Sequence, residues 1–473
     1  MAMRTFASPT AGVRRWPRYR TLWRWHFYAG LICIPVVLWL CMTGGLYLFQ
    51  PQIDGWLERD YDHLRIDGPL ARPSEQVRSA LRAVPGGRLN AYELPAAPQA
   101  AARVLVGTGD RIVRVYVHPQ TAQVLGQVRD DLRFTRLLFY LHGELLLGTP
   151  GSMLVECVAS WAVVMILTGL ALWWPRSARG LAGIAYPRLR SGGRVFWRDL
   201  HAVTGLWVSA LALFLIVSGL PWSKSWGSLL QQGRELAARH EVKQDWSTSR
   251  AGELARQALQ NRPPGTDAHA GHLGQMVGMG HAVGDAMDLS VLDAAVPNVA
   301  AQALAPPVLV TPPSAAAAGW AARSDTPDRP RRVTLSLDGR GRVVERVDFA
   351  QRPLIDRMVG YGVAAHEGQL FGWFNQLLGL FTALGLMLVS VSAIWLWWNR
   401  RRRGTLGAPE SQGRTPLAAA AFVLIAVLGL VLPLLGATLI LVLLLEWLVL
   451  CRIPRVANWL GLAMPRQGRV RTH

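Results

Sequence analysis

Long apolar runs alternate with polar segments along the chain. Four runs, at about 26–49, 153–174, 201–222 and 373–398, each reach the roughly 20 residues that an α-helix needs to cross a bilayer. A fifth run, at 416–451, is too long for one crossing and is divided by Pro433 and Gly436, which predicts a hairpin of two short spans. The pattern therefore predicts a mainly α membrane protein.

The two longest polar segments combine helical and β patterns. Both begin with a helix-period run, at 74–84 and at 249–260. The β-rich runs that follow are 88–94, 103–106, 112–117 and 123–128 in the first segment, and 332–337 and 342–349 in the second. Between its helical run and its two β-rich runs, the second segment carries an Ala-, Pro- and Gly-rich insertion at 261–330. We expect this insertion to be largely mobile. Each segment is predicted to form a small α+β domain.

Arginine sets the predicted orientation. The segments 1–25, 175–200, 399–414 and 452–473 hold 22 arginines and only two acidic residues, so their net charge of 22 − 2 = +20 equals that of the whole chain. Positive segments stay on the cytoplasmic side of a bacterial inner membrane, so both termini are predicted to be cytoplasmic. A basic protein could instead bind nucleic acid, but these arginines flank spans and form no separate basic domain. We therefore expect membrane lipid, and no nucleic acid, as a partner.

Spans and orientation together divide the chain. In order, the predicted segments are cytoplasmic 1–25; span 26–49; periplasmic domain 50–152, which ends in a surface helix at 137–147; span 153–174; cytoplasmic loop 175–200; span 201–222; periplasmic domain 223–365; surface segment and span 366–398; cytoplasmic loop 399–415; hairpin 416–451; and cytoplasmic tail 452–473.

The two halves of the chain repeat each other. Aligning His26 with His201 matches Gly30 to Gly205, and Thr43-Gly44 to Ser218-Gly219. A second alignment, of His142 with His366, matches Gly148 to Gly372, Thr168 to Ser392, and Leu172-Trp173-Trp174 to Leu396-Trp397-Trp398. The unit is histidine, span, outer domain, histidine, span, and it is used twice. This predicts a duplicated four-helix transmembrane core followed by the two-helix hairpin.

The repeat pairs four histidines by depth. His26 and His201 open spans at the cytoplasmic face, whereas His142 and His366 precede spans at the outer face. One histidine at an interface is unremarkable, but two on facing helices suit the axial positions of b-type haem. Each neutral imidazole then gives one nitrogen lone pair to iron, and its other nitrogen needs a hydrogen-bond partner. We predict two haem b groups that carry electrons from a cytoplasmic or quinol donor to a periplasmic acceptor.

Two glycines fit the same hypothesis. Gly30 and Gly205 each lie four residues after a histidine, on the same helix face. A missing side chain there would make room for a flat macrocycle, although close helix packing would also favour glycine. A non-haem metal is less favoured at the pairs, because no carboxylate or cysteine accompanies both of them. The sequence has no CxxCH, GxGxxG or Walker A motif, so neither c-type haem nor a nucleotide site is predicted.

A second candidate metal site lies in the insertion. Soft and imidazole ligands occur there at His269, His272, Met276, Met279 and His281. Such ligands suit copper or another late metal. A flexible low-complexity loop is the alternative, and we favour it.

Several of these motifs resemble the PepSY-associated transmembrane family. The residues that carry the resemblance are Trp25-His26, Thr43-Gly44, Leu141-His142, the run 168–173, His201, Ser218-Gly219 and the β-rich run 115–126. The resemblance covers most of residues 20–400 and implies a four-helix core with two periplasmic PepSY-like domains. Some members are inner-membrane reductases that release iron from ferric siderophores with b haems. Carried over by position, His26, His142, His201 and His366 are the haem-ligand candidates, with no catalytic residue separate from haem.

The resemblance implies a transmembrane reductase of a ferric siderophore or similar iron chelate. Two alternatives stay open: a non-enzymatic accessory of metal or siderophore uptake, and a membrane-anchored PepSY module that binds a peptidase. The hairpin at 416–451 and the insertion at 261–330 depart from the simplest family pattern.

Overall fold

The computed structural model describes residues 19–174, 180–238, 250–262, 287–315, 317–409 and 419–462. These residues are mostly helical, with one antiparallel sheet. The chain forms two compact units. The helical unit comprises Met1–Trp39, Met153–Ile216 and Leu384–His473, and the sheet unit comprises Leu40–Ser152 and Val217–Ala383.

The described helices alternate between long and short elements. In chain order they are α1 (Tyr19–Tyr47), α2 (Gln50–Leu57), α3 (Arg59–Asp62), α4 (Pro73–Ala83), α5 (Phe134–Glu144), α6 (Thr149–Trp173), α7 (Gly193–Gly219), α8 (Lys224–Ala238), α9 (Arg250–Gln260), α10 (Val291–Ala300), α11 (Leu354–His366), α12 (Trp373–Arg400), α13 (Ala419–Val431), α14 (Pro433–Leu448) and α15 (Pro454–Leu460). The predicted helical runs at 74–84 and 249–260 correspond to α4 and α9.

Five segments of the described chain are long and apolar enough to cross a membrane. They are Tyr19–Tyr47, Thr149–Trp173, Gly193–Trp222, Trp373–Arg400 and Pro433–Arg452. The first four contain nearly all of the four predicted single spans. Apolar length alone identifies such helices, because every backbone polar group of a helix is satisfied within the segment.

The predicted hairpin at 416–451 contains two helices, α13 and α14. Leu432 lies between them outside helical geometry, and Pro433 begins α14, where its missing N–H costs no helical hydrogen bond. The two helices approach closely at Gly429 and Gly436. A Cβ on Gly436 would lie 2.6 Å from the carbonyl oxygen of Gly429, so a side chain there would separate the helices.

The sheet unit contains one eight-stranded antiparallel sheet. Its strands are β1 (Arg88–Glu93), β2 (Ala102–Thr108), β3 (Arg111–Val117), β4 (Val124–Arg129), β5 (Val308–Thr311), β6 (Trp320–Ser324), β7 (Val333–Leu337) and β8 (Val343–Asp348), in the order β4-β3-β2-β1-β5-β6-β7-β8. Strands β1 and β5 pair through Tyr92 with Val310 and Glu93 with Leu309. The strands of the two predicted α+β domains therefore join in one continuous sheet.

Part of the predicted mobile insertion is regular structure. Helix α10 and strands β5 and β6 all lie between 287 and 330, so the prediction is wrong for this part of 261–330. Leu292, Ala295 and Val299 on α10 are buried in the sheet core, together with Val77 of α4. Met287, at the edge of the predicted metal loop, also packs against this core. The helix was not predicted, because the segment is rich in Ala and Pro and carries Pro297 inside α10.

Buried ion pairs fasten α2 and α3 to the sheet. Arg103 on β2 lies 3.0 Å from Glu58 and 2.8 Å from Asp62, and Arg133 lies 2.8 Å from Glu58. Burial raises the pKa of Glu58, but Arg133 and Arg103 together lower it more, so the pKa lies below its usual value. Burial likewise raises the pKa of Asp130, but Arg114 and Arg133 lower it more, so this pKa also lies below its usual value.

Two short helices precede long ones in matching places. Helix α5 precedes α6, and α11 precedes α12. The first corresponds to the short helix predicted at 137–147. It ends in left-handed residues at Leu145 and Leu146, which turn the chain sharply toward α6. Helix α5 carries His142, and α11 ends at His366.

Candidate functional site

The first histidine pair lies in the helical unit. His26 is in the third turn of α1, and His201 is in the third turn of α7. Their ring centroids are 6.2 Å apart and their planes are nearly perpendicular, at 82°. The structure therefore brings together two residues that are 175 positions apart in the sequence and were paired by the repeat alone.

Backbone carbonyls and hydroxyls orient both rings of this pair. The Nδ1 of His26 lies 2.9 Å from the Met165 carbonyl oxygen and 3.2 Å from Thr168 Oγ1. The Nδ1 of His201 lies 3.0 Å from the Val389 carbonyl oxygen and 3.2 Å from Ser392 Oγ. Because a carbonyl oxygen only accepts, Nδ1 carries a proton in both rings, and in the neutral imidazole Nε2 then keeps its lone pair.

The second histidine pair lies in the sheet unit. The ring centroids of His142 and His366 are 6.3 Å apart, and their planes are inclined at 81°. Thr43 Oγ1 lies 3.1 Å from His142 Nδ1, and Ser218 Oγ lies 2.9 Å from His366 Nδ1. Burial lowers the pKa of His142 to about 4, against an opposing effect of the Leu40 carbonyl. Its ring is therefore neutral at pH 7.

The hydroxyl contacts follow one crossed pattern in both halves. Thr43 on α1 contacts the histidine of α5, while Thr168 on α6 contacts the histidine of α1. In the second half, Ser218 on α7 contacts the histidine of α11, while Ser392 on α12 contacts the histidine of α7. These four hydroxyls are the positions that the sequence alignment of the halves matched. Their role as histidine partners was not predicted, although the alignment contained the signal.

Three glycines allow the rings to approach the helices. A Cβ on Gly44 would lie 2.8 Å from His142 Cε1, and one on Gly169 would lie 3.0 Å from His26 Cε1. A Cβ on Gly219 would lie 3.3 Å from His366 Cε1. Each of these glycines directly follows a hydroxyl residue that contacts the same ring. The hydroxyl–glycine dipeptide therefore positions the imidazole. The hydroxyl residue forms a hydrogen bond with the ring, and the glycine leaves space for it.

The two predicted glycines have a different environment. A Cβ on Gly205 would meet no described atom within 4 Å, and one on Gly30 would meet only the sulfur of Met165, at 3.9 Å. Close helix packing would leave a neighbour in tight contact with each of them. The role of both glycines beside a flat macrocycle stays a prediction.

The ring separations test whether a metal fits between the histidines. Two nitrogens at about 2.0–2.1 Å from one metal, plus roughly 1.1 Å from each nitrogen to its ring centre, give about 6.2–6.4 Å when all of these points lie on one line. A direct N–H···N hydrogen bond of about 2.9 Å would give roughly 5.1 Å on the same geometry. The observed 6.2 and 6.3 Å equal the first separation and exceed the second, so the distance between the rings is compatible with a metal between them.

The donor set also fits haem. Within the described part of the chain, no group of three or more His, Cys, Asp or Glu side chains is placed to hold a metal ion. Each pair offers two nitrogens, which is the number that iron needs as axial ligands when a porphyrin supplies the other four.

A family comparison places this geometry in context. A family model described as "PepSY-associated TM region" matches residues 23–400. The chain belongs to this family. The comparison with curated proteins gives no match. Both histidine pairs, their four hydroxyl partners and the whole sheet lie within the PepSY-associated TM region, whereas α13, α14 and α15 follow it. Membership and the apolar helices together make this a membrane protein.

The remaining predicted site residues have different outcomes. His269, His272, Met276, Met279 and His281 lie outside the described residues, so the loop metal site stays a prediction. The carboxylate of Glu367, which directly follows His366, lies 3.9 Å from Arg329. Sequence analysis did not identify Arg329 as a neighbour of the residue that follows His366.

Proposed function

We propose that this chain is an inner-membrane b-type haem protein that passes electrons across the membrane and reduces a periplasmic ferric siderophore or similar ferric chelate. The observation that carries the proposal is the separation of the rings in each histidine pair, 6.2 and 6.3 Å, with Nδ1 of all four rings turned to an anchoring oxygen. A structural histidine needs no partner ring at metal-bridging distance.

Each residue has a defined task in this proposal. His26 and His201 would hold one haem, and His142 and His366 the other. The Met165 and Val389 carbonyls would keep Nδ1 of His26 and His201 protonated, which would leave Nε2 as the nitrogen available to iron and raise its basicity. Bound haem would supply one-electron transfer.

Iron release follows from ligand chemistry. Siderophores and related chelates hold Fe(III) through hard oxygen donors. Addition of one electron to Fe(III) gives Fe(II), which has a lower charge density and binds those oxygens more weakly. The electron comes from a cytoplasmic or quinol donor. The arginine-rich segments support this direction, because they assign the first pair to the cytoplasmic side and the second to the periplasmic side.

The proposal includes an internal duplication of the four-helix core. Its support is the crossed hydroxyl–histidine pattern, in which Thr43 and Ser218 act alike and Thr168 and Ser392 act alike. Two α+β segments that resemble PepSY modules and share one sheet belong to the same proposal.

The deciding experiment is spectroscopic. The full-length protein is purified in detergent, and reduced-minus-oxidised visible spectra are recorded. We expect b-type bands, and we expect His201→Ala and His366→Ala each to remove one haem population. His63→Ala, an exposed histidine on the sheet unit, is the control and should leave the spectrum unchanged. Absence of b-type bands from the wild-type protein would contradict the proposal and favour a membrane anchor that binds a partner protein.

A further inference from the structure

An open cleft in the helical unit lies where two long apolar helices end. Helix α12 ends at Arg400, and the apolar segment that contains α14 ends at Arg452. The cleft lies between the residues after Arg400 and helix α15. Its volume is about 580 Å³, which is within the range of small-molecule sites, roughly 300–1,000 Å³. The residues that line it are Gly404, Thr405, Arg455, Val456, Asn458 and Trp459.

Hydrogen bonds to backbone carbonyls hold the two walls of the cleft together. The N–H of Leu406 donates to the Trp459 carbonyl at 2.9 Å. Arg24 on α1 donates to a carbonyl on each wall, that of Pro409 and that of Gly461, each at 2.7 Å. The cleft is therefore a fixed feature of the helical unit, and it is attached to the helix that carries the first paired histidine.

The charge around the cleft is entirely positive. Its two walls belong to the segments 401–409 and 449–462, which together contain five arginines and no acidic residue. Among the described residues, the guanidinium group of Arg455 in the lining has no carboxylate partner. Such a surface attracts an anion, because no charge of the protein itself neutralises these arginines.

The lining offers hydrogen-bond donors. Within the described part of the chain, the side chains of Arg455, Asn458 and Trp459 have no hydrogen-bond partner. A guanidinium group and an indole N–H only donate, and the amide of Asn458 can also donate. A ligand that satisfies all three side chains carries several acceptor oxygens and a negative charge. A phosphate group has both, and its oxygens match the planar fork of an arginine.

The position of the cleft at the ends of two apolar helices favours a lipid as the source of the phosphate. Because Arg400 and Arg452 end segments that are long enough to cross the bilayer, the cleft lies at the depth of the lipid headgroups. Leu444, Trp447 and Leu448, near the end of α14, are exposed and provide an apolar surface for acyl chains. A soluble phosphate compound would leave that surface unused, whereas an anionic phospholipid uses both the arginines and the apolar surface.

We propose that this cleft binds the phosphate group of an anionic phospholipid. Arg455, Asn458 and Trp459 donate hydrogen bonds to the headgroup, and the acyl chains lie along α14. The bound lipid connects the residues after Arg400 to α15. This inference goes beyond the proposed function, and it does not depend on haem.

Native mass spectrometry of the full-length protein, released from detergent, tests the cleft. The probes are phosphatidylglycerol and, as a zwitterionic comparison with the same acyl chains, phosphatidylcholine, at constant ionic strength. We expect phosphatidylglycerol to bind more tightly. Arg455→Gln should weaken phosphatidylglycerol binding about 10-fold or more, as expected for loss of a charged hydrogen bond, and should leave phosphatidylcholine binding unchanged.

The matched control is Arg190→Gln. It removes another exposed arginine from a segment predicted to be cytoplasmic, but Arg190 does not line the cleft, so this variant should bind both lipids as the wild type does. Asn458→Ala and Trp459→Phe each remove one uncharged donor and should weaken phosphatidylglycerol binding about 3-fold. All three lining positions are exposed, so the variants should fold, and melting temperatures check this.

Three results would overturn the proposal. The first is phosphatidylglycerol binding of wild-type strength in both Arg455→Gln and Asn458→Ala. The second is equal binding of the two lipids by the wild-type protein, which would indicate contact with bulk lipid only. The third is displacement of phosphatidylglycerol by an equal concentration of sodium phosphate, which would assign the cleft to a soluble phosphate compound.

Failure of the cleft and failure of the haem proposal are distinguishable. Bound lipid is counted by mass and b-type haem by visible spectra, so each result stands without the other. Arg455-dependent binding of phosphatidylglycerol in a protein without b-type bands would support the cleft and contradict haem. The reverse result, b-type bands with lipid binding that none of the variants changes, would contradict the cleft alone.

Discussion

Thr168 Oγ1 lies 3.2 Å from His26 Nδ1 and donates its own hydrogen to the backbone of α6, at the Val164 carbonyl 2.7 Å away. The hydroxyl can therefore only accept from the imidazole. The Nδ1–H of His26 then has two acceptors, Thr168 Oγ1 and the Met165 carbonyl oxygen. One side chain thus supports the tautomer that the Met165 carbonyl requires of a histidine on another helix. Ser392 stands in the same relationship to His201.

Removal of these hydroxyls should weaken haem binding without unfolding the protein. Thr168→Val keeps the shape of the side chain and the Met165 carbonyl contact, but it removes one of the two oxygens that orient His26. Loss of such a supporting contact typically lowers metal affinity 10–100-fold, and we expect about 10-fold here because the carbonyl remains. Haem titration into the apoprotein measures the effect. Thr382→Val, which removes a buried α12 hydroxyl bonded to its own helix, is the control and should retain wild-type affinity.

A methyl group at Gly44 should displace His142. The added Cβ would lie 2.8 Å from Cε1 of the ring, so Gly44→Ala forces the imidazole away from its position. We expect loss of one haem population and retention of the other. Gly45→Ala is a close control, since its Cβ would meet only the Ala383 methyl group, at 4.0 Å. Equal spectra for the two variants would show that His142 tolerates the shift.

Substitutions at Gly205 should separate helix stability from haem binding. Gly205→Ala meets no described atom within 4 Å and removes a helix-interior glycine, so unfolding should cost up to about 1 kcal/mol more, with haem retained. Gly205→Phe fills the space that the macrocycle would need, so it should fold but lose the haem of the first pair. Thermal unfolding and visible spectra of both variants check this. Normal haem content in Gly205→Phe would exclude that space as the haem site.

The acid stability of the sheet unit should depend on Glu58 and Asp130. Both pKa values are lowered in the folded protein, so the stabilisation is complete above the unfolded pKa values of about 4.3 and 3.9 and is lost as the pH falls through the folded ones. Melting temperatures should therefore be nearly constant above about pH 5 and fall steeply below about pH 4. Glu58→Gln should melt lower at pH 7 and show a shallower acid transition. An acid transition in Glu58→Gln as steep as that of the wild type would exclude this carboxylate as a cause.

Helix α10 should contribute strongly to the stability of the sheet unit. Leu292 is fully buried in its core, so Leu292→Ala should cost about 2–5 kcal/mol of unfolding free energy. Leu236→Ala, on the exposed side of α8 with 80% of its surface accessible, should change stability by about 0.5 kcal/mol or less. Chemical denaturation monitored by fluorescence compares the two. Similar stabilities would mean that α10 does not pack on the sheet in solution.

Local patterns were sufficient wherever the physics is local. The four single spans follow from apolar length, because a helix satisfies its own backbone and the bilayer sets its length. Pro433 marked the start of α14, because a residue without a backbone N–H is tolerated at the first helical position. Helices α4 and α9 followed from periodicity, and the four histidines followed from the repeat.

Non-local pairing explains what the patterns missed. Strand β5 has only four residues and is stabilised by β6, the next strand, and by β1, which lies far from it along the chain. Helix α10 has a weak local pattern around Pro297, and burial of Leu292 under the sheet stabilises it. No local pattern in β5 or α10 indicates the strands and helices that stabilise it. Composition alone therefore predicted a mobile insertion.

The sequence by itself determined that this chain is a membrane protein of the PepSY-associated family with histidines in matched places. Spans, charges and repeats can all be read from the order of residues along the chain. Only the tertiary structure decided that the rings stand 6.2 and 6.3 Å apart, that hydroxyls and carbonyls orient them, and that the two α+β segments share one sheet. Those features depend on side chains that are distant in sequence and meet only after the helices and strands have packed.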